Sequence, residues 1–113
     1  MPPEDRVRLL HMLDACAAVS RFLAGRTRED LDTDEMLLFA LVRAVEIFGE
    51  AGARVSEPTR ATLPQVPWAQ MTGMRNRLAH AYFDVDRDVL WRTATSDIPA
   101  LASTLSAARD DLA

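Results

Sequence analysis

A chain of 113 residues, 49% of them apolar, is long enough to bury one core and too short for two, so a single domain spanning 1–113 is expected. A formal net charge of −4 argues against a surface that grips nucleic acid over its whole extent, since such binding needs many cations on phosphates, and leaves only a local site open. The one cysteine, Cys16, excludes an internal disulfide and a cysteine-built metal site; with no leader pattern and no apolar run near the roughly 20 residues of a bilayer span, a cytoplasmic, membrane-free protein is expected.

The apolar positions Val7, Leu10, Leu13, Ala17 and Phe22 recur at close to the helical period, with prolines before them and Gly25 after, which predicts a helix from Pro3 to about Ala24. The segment AGRTREDLDT is polar and reads as a connection. Thr33, Asp34 and Glu35 offer a capped start to a second helix, DEMLLFALVRAVEIFGEAGARV, with acids at the positive end of its dipole. Its apolar residues Met36, Leu37, Ala40, Leu41, Ala44, Val45, Ile47 and Phe48 cover more than one narrow stripe, so it is expected to be the most buried element. Arg43, Glu46 and Glu50 interrupt that surface one turn apart, as an ion-paired solvated face or as a face turned to a partner.

Pro58, Pro64 and Pro67 break any helical repeat between Ser56 and Pro67, which reads as a loop. Trp68 opens a further helix through Met71, Met74 and Leu78, with Gly73 inside it as a possible point of close approach. The acids of FDVDRD suit the cap of a short helix holding Val89, Leu90 and Trp91. A last helix is expected to begin at Ser96 or Asp97, with Pro99 in its first turn and Ile98, Leu101, Leu105, Ala108 and Leu112 on one face. The expected class is all-α, an antiparallel bundle of four to five helices. Trp68 and Trp91 read as core aromatics, and His11 as a surface histidine.

The stretch GMRNRLAHAYFDVD concentrates Arg75, Asn76, Arg77, His80 and Tyr82 at a helix end. On a helix Asn76 and His80 share a face, and Arg75 lies about 140° from His80, so the arginine and the imidazole border one groove. A phosphate fits between them, more so if a second copy faces the groove across a two-fold axis. These residue types suit phosphodiester cleavage without a metal or other cofactor. RNA carries its own nucleophile in the 2′-hydroxyl; an imidazole moves protons at neutral pH, and a guanidinium donates paired hydrogen bonds to phosphate oxygens. Asn76 and Arg77 are supporting or phosphate-binding candidates. All thirteen basic residues are arginine, each of them such a fork.

RNRLAHAY resembles the R-x-x-x-x-H-x-Y signature of the HepT-like branch of the HEPN superfamily, with Arg75, His80 and Tyr82 at the fixed places. The similarity extends to AVEIFGEAGARVS, to LPQVPWAQMTGMRNRLAHAYFDVD, to Leu90 and Trp91 and to DIPAL, and so covers most of the chain beyond its first thirty residues. The resemblance implies a homodimeric, HEPN-like helical ribonuclease acting as the toxin of a toxin–antitoxin pair, with an MNT-type nucleotidyltransferase as antitoxin. It implies Arg75 and His80 as catalytic residues and Tyr82 as the acceptor of AMP. The residues alone leave two alternatives open: a non-catalytic nucleotide- or RNA-binding module that pairs with a nucleotidyltransferase, and a helical dimerisation domain whose polar cluster is structural.

Overall fold

The chain was analysed as a computed structural model that describes residues 1–78 and 85–111, with side chains for 1–74 and 85–109. It is all-helical, with no strand among the described residues. Helix α1 runs Pro3–Leu23 with proline in its first turn, and Gly25 just beyond it takes φ +72°, the left-handed exit that glycine adopts without penalty. A four-residue helix, α2 (Asp30–Thr33), lies inside the segment expected to be an irregular connection. Thr27 N–H donates to Asp30 Oδ2 at 2.7 Å and Leu31 drops into the core, which together hold one helical turn that could not stand alone.

Helix α3 (Glu35–Ala53) starts at Asp34, whose Oδ1 accepts from Leu37 N–H at 3.1 Å. It is the central element, packed against α1 on one side and α5 on the other. Leu37, Leu38, Leu41, Val42, Ala44, Val45 and Phe48 are buried. The breadth of its apolar surface is thereby explained only in part, because Met36 is 84% exposed and Ile47 37% exposed. Gly52 faces α1, where an added Cβ would stand 3.2 Å from Met12 Cε. The glycine sets how closely these two helices approach.

Between Ser56 and Pro67 the expected loop contains a short helix, α4 (Glu57–Thr62). Pro58 sits in its first turn, where the missing N–H has no helical partner to lose, so this proline admits a helix rather than breaking one. Helix α5 (Trp68–Leu78) follows, with Met71 and Met74 fully buried. Trp68 is partly buried against the core and donates from Nε1 to Leu63 O at 3.1 Å. Nothing approaches the Cβ position of Gly73, so close packing does not account for that glycine.

The last two expected helices are one continuous rod: α6 (Arg87–Arg92), a π turn (Thr93–Asp97) and α7 (Ile98–Asp111). No cap at Ser96 or Asp97 starts a new helix. Pro99 has no N–H for the carbonyl of Thr95 and its ring crowds that carbonyl, so the chain widens by one residue and Ile98 N–H bonds to Thr93 O instead. Ile98, Leu101, Leu105 and Ala108 then face inward, and α7 packs on α1. Trp91 is partly buried against the core.

Two polar clusters fasten the C-terminal end of α3. Asp5, on the first turn of α1 and 3% exposed, accepts from Ser56 N–H at 2.9 Å and from the hydroxyls of Ser56 and Thr59. Arg60 donates from Nε to Val55 O at 2.9 Å and from Nη2 to Ala53 O at 2.8 Å and Gly52 O at 3.2 Å, and its guanidinium lies 5.8 Å from the Trp68 ring centroid. A cation thus meets the negative end of α3 and, in the same contact, fixes where α5 begins.

Candidate active site

Helix α5 starts beside the C-terminal end of α3 and packs against that helix. Arg75, Asn76 and Arg77 occupy the last turn of α5. His80 and Tyr82 lie outside the described residues, as do the side-chain positions of Arg75, Asn76 and Arg77. The chain re-enters the description at Val85, which is buried, and Asp86 caps α6 by accepting from Val89 N–H at 3.0 Å. The motif segment thus leaves from the end of α5 and is met again at buried Val85, one residue before the cap of α6.

Val85 and Arg87 line a cleft of about 300 Å³ with Leu31, Thr33, Leu38 and Phe39. Beside it stands a network of four charges. Arg28 donates from Nε to Asp88 Oδ1 at 2.7 Å and from Nη1 to Asp32 Oδ1 at 3.2 Å; Arg87 Nε donates to Leu31 O at 3.3 Å and lies 3.7 Å from the same Asp32 oxygen. The Asp88 and Asp32 carboxylates hold the Arg28 guanidinium above its ordinary pKa. Sequence reasoning passed over these residues. The only trace was opposite charge in RTREDLD and DVDRD, and no local periodicity links side chains 60 positions apart.

Arg43 makes the expected pair with Glu46 at 3.3 Å and also lies 3.8 Å from Glu50, a contact that one-turn spacing did not suggest. His11 is exposed and lines an apolar groove of about 360 Å³ between α1 and α3, with Ala18, Phe22, Ala40, Arg43 and Ile47. Cys16 is buried, and desolvation pushes its thiol up to about 12, which keeps it neutral and unreactive. Among the described residues no three His, Cys, Asp or Glu side chains converge in a way that could hold a metal, and no helix is long and apolar enough to cross a membrane.

The family described as ribonuclease HepT-like matches residues 12–108. The chain belongs to the HepT-like family. Its all-helical bundle is that expected of the HEPN superfamily. Among HepT-like relatives, a Thermococcus cleftensis protein named as a probable ribonuclease HepT is 40% identical over 78% of this chain and 80% of its own length. Two proteins named as candidate RNases are also similar. One, from Caldanaerobacter subterraneus subsp. tengcongensis, is 36% identical over 85% of this chain and 86% of its own; the other, from Methanocaldococcus jannaschii, is 33% identical over 82% and 85%. No solved structure gives a significant match.

Proposed function

We propose that this chain is a metal-independent endoribonuclease and the toxin of a toxin–antitoxin pair. The observation that carries the reading is the HepT-like match over residues 12–108, with Arg75 placed in the last turn of α5 at the head of the Arg75, His80, Tyr82 spacing. His80 takes the proton of an RNA 2′-hydroxyl, the 2′-oxygen attacks the adjacent phosphorus, and a protonated His80 gives the departing 5′-oxygen its proton as the bond from phosphorus to that oxygen breaks. Arg75, supported by Asn76 and Arg77, binds the scissile phosphate and neutralises charge in the in-line transition state. The products are a 2′,3′-cyclic phosphate and a 5′-hydroxyl. All the groups required are side chains and the substrate's own hydroxyl, so the reaction calls for no bound metal.

The working unit is a homodimer. A chain of net charge −4 repels RNA at long range, and doubling Arg75 and Arg77 across a two-fold axis concentrates positive potential in one cleft. An apolar surface supports this reading: Ile47, exposed on α3, lines the groove that holds Arg43 and Asp14, and Val7 and Leu10 on α1 and Met36 on α3 are further large apolar side chains left exposed. That face offers apolar area together with charges of both signs, as a self-complementary contact requires.

The antitoxin is an MNT-type nucleotidyltransferase that adds AMP to Tyr82, the phenol oxygen displacing pyrophosphate from ATP. The added anion blocks the phosphate site by volume and by charge. In the cytoplasm such a pair controls RNA turnover. The test is cleavage of a defined RNA in EDTA by the wild type, Arg75→Ala and His80→Ala. Cyclic 2′,3′ ends made only by the wild type support the reading; intact RNA with phosphate or RNA binding retained assigns a non-catalytic module instead.

A further inference from the structure

The cleft of about 300 Å³ at the head of α6 combines an apolar floor with polar groups that bond nothing within the protein. Leu31, Leu38 and Val85 form the floor and are buried members of the core. Glu35, Thr33 and Arg87 supply the polar lining. Among the described residues, the Glu35 carboxylate, the Thr33 hydroxyl and the two Nη groups of Arg87 make no hydrogen bond or ion pair. Arg87 is held at Nε alone, by Leu31 O at 3.3 Å with Asp32 Oδ1 3.7 Å away, which leaves the outer edge of its fork for another partner. Phe39, 38% exposed, adds ring surface to the same cleft. Apolar lining with a few polar groups is the usual form of a small-molecule site.

Charge and size select the ligand. Asp32 and Glu35 outweigh Arg87 in the cleft, which disfavours a phosphate and favours a neutral group rich in N–H donors. The volume lies at the lower end for ligand sites and suits one flat ring system, whose face an aromatic side chain can stack upon. Of the four RNA bases only guanine sets two N–H donors side by side, N1–H and N2–H, which one carboxylate accepts together; its O6 and N7 suit an arginine. Adenine and cytosine offer one amino group beside ring acceptors, and uracil a single N–H. We propose that this cleft is a guanine-binding subsite for the RNA strand, with Glu35 accepting from N1–H and N2–H, Arg87 donating to O6 and N7, and Phe39 stacking on the base. The inference rests on the ribonuclease reading above for the source of the base.

The test titrates wild type, Glu35→Gln and Glu57→Gln with GMP, IMP, AMP, CMP, UMP and ribose 5-phosphate, following the NMR signals of Leu31, Leu38 and Val85, beside cleavage of RNAs with and without guanine. Glu57 is an exposed acid in the first turn of α4 and takes no part in the cleft, which makes it the control. Wild type is expected to bind GMP about ten-fold or more tightly than AMP, CMP or UMP, and IMP, which lacks the N2 amino group, about ten-fold more weakly than GMP. Glu35→Gln, which cannot accept both donors, erases the difference between GMP and IMP while thermal stability stays near wild type; Glu57→Gln changes nothing. Equal binding of the nucleotides, shifts as large with ribose 5-phosphate, or a guanine preference that survives in Glu35→Gln overturns the subsite. RNA cut without regard to guanine overturns its role toward the strand and leaves the ribonuclease reading standing. If the wild type leaves RNA intact, that reading fails, and the titrations still decide whether the cleft takes guanine.

Discussion

The carboxylate of Asp5 accepts a hydrogen bond from Ser56 N–H at 2.9 Å, joining the first turn of α1 to the corner between α3 and α4 across 51 residues of sequence. Ser56 and Thr59 add hydroxyl donors to the same carboxylate. An acid of another helix thus bonds the backbone N–H of Ser56, the residue before α4, as the acid of a capping box does, while the Ser56 side chain makes no cap bond. Removing the acid leaves a part-buried backbone N–H and the buried Thr59 hydroxyl without that partner. Asp5→Ala is expected to cost about 1–3 kcal/mol in urea unfolding.

The same contacts give that stability a pH dependence. They hold the Asp5 pKa below its ordinary 3.8, the Ser56 hydroxyl being the largest cause, so near that pH the native state binds fewer protons at Asp5 than the unfolded chain does. The stabilisation is complete above the ordinary value and is lost as pH falls through the depressed native one. The stability gap between wild type and Asp5→Ala should therefore be constant around pH 6–7 and narrow below about pH 4. A gap independent of pH down to acid unfolding contradicts the assignment.

Cys16 offers a direct probe of core integrity. A buried thiol with its pKa near 12 presents almost no thiolate at pH 8. Labelling by a thiol reagent should be negligible in the folded protein and should proceed at the rate of a free thiol in denaturant. Fast labelling under native conditions would mean that α1 separates from its neighbours.

For the proposed chemistry, His80→Ala should lower kcat/KM for RNA by about 10² to 10⁴-fold, the usual contribution of a positioned acid–base group. Arg75→Ala should be comparably damaging, with kcat falling along with binding. Cleavage assays run beside circular dichroism separate loss of chemistry from loss of fold. Full activity in either variant removes the residue from the mechanism.

For the proposed dimer, Met36→Asp together with Ile47→Asp should convert the protein to a monomer in sedimentation experiments while leaving its helix content unchanged, because neither side chain is in the core. RNA cleavage should fall with the dimer fraction. A wild type that sediments as a monomer at micromolar concentration sets the two-fold arrangement aside.

How much of this was legible beforehand depended on the range of the cause. Apolar spacing with its flanking prolines and glycine located α1, α3 and α5, but on α1 it picked Val7, Leu10, Leu13, Ala17 and Phe22, whereas the buried face is Leu9, Met12, Ala15, Cys16 and Val19 and leaves Val7 and Leu10 exposed. Proline misled twice, in opposite senses. Pro58 reads as a breaker but occupies a first turn, and Pro99 reads as a first-turn residue but lies within a longer rod. Periodicity also treats Met36 and Leu37 alike, since it cannot tell an apolar side chain meant for the chain's own core from one left on the surface. Of the candidate site, the residue types of Arg75, His80 and Tyr82 were evident from their spacing, but the charge network of Arg28, Asp32, Arg87 and Asp88 depends on tertiary proximity and left only a loose match of charge.

The wide turn at Thr93–Asp97 has a mechanical corollary for the C-terminal rod. Wound as a regular α-helix with its present residues, the rod would swing Ile98, Leu101 and Leu105 by about 100° around its axis, away from α1. The turn behaves as a spacer that absorbs one surplus residue so that both halves keep the same heading. Shortening the stretch by a single residue should accordingly be tolerated once Pro99, which a regular helix would not accept, is also replaced, whereas lengthening it by one should unseat α7.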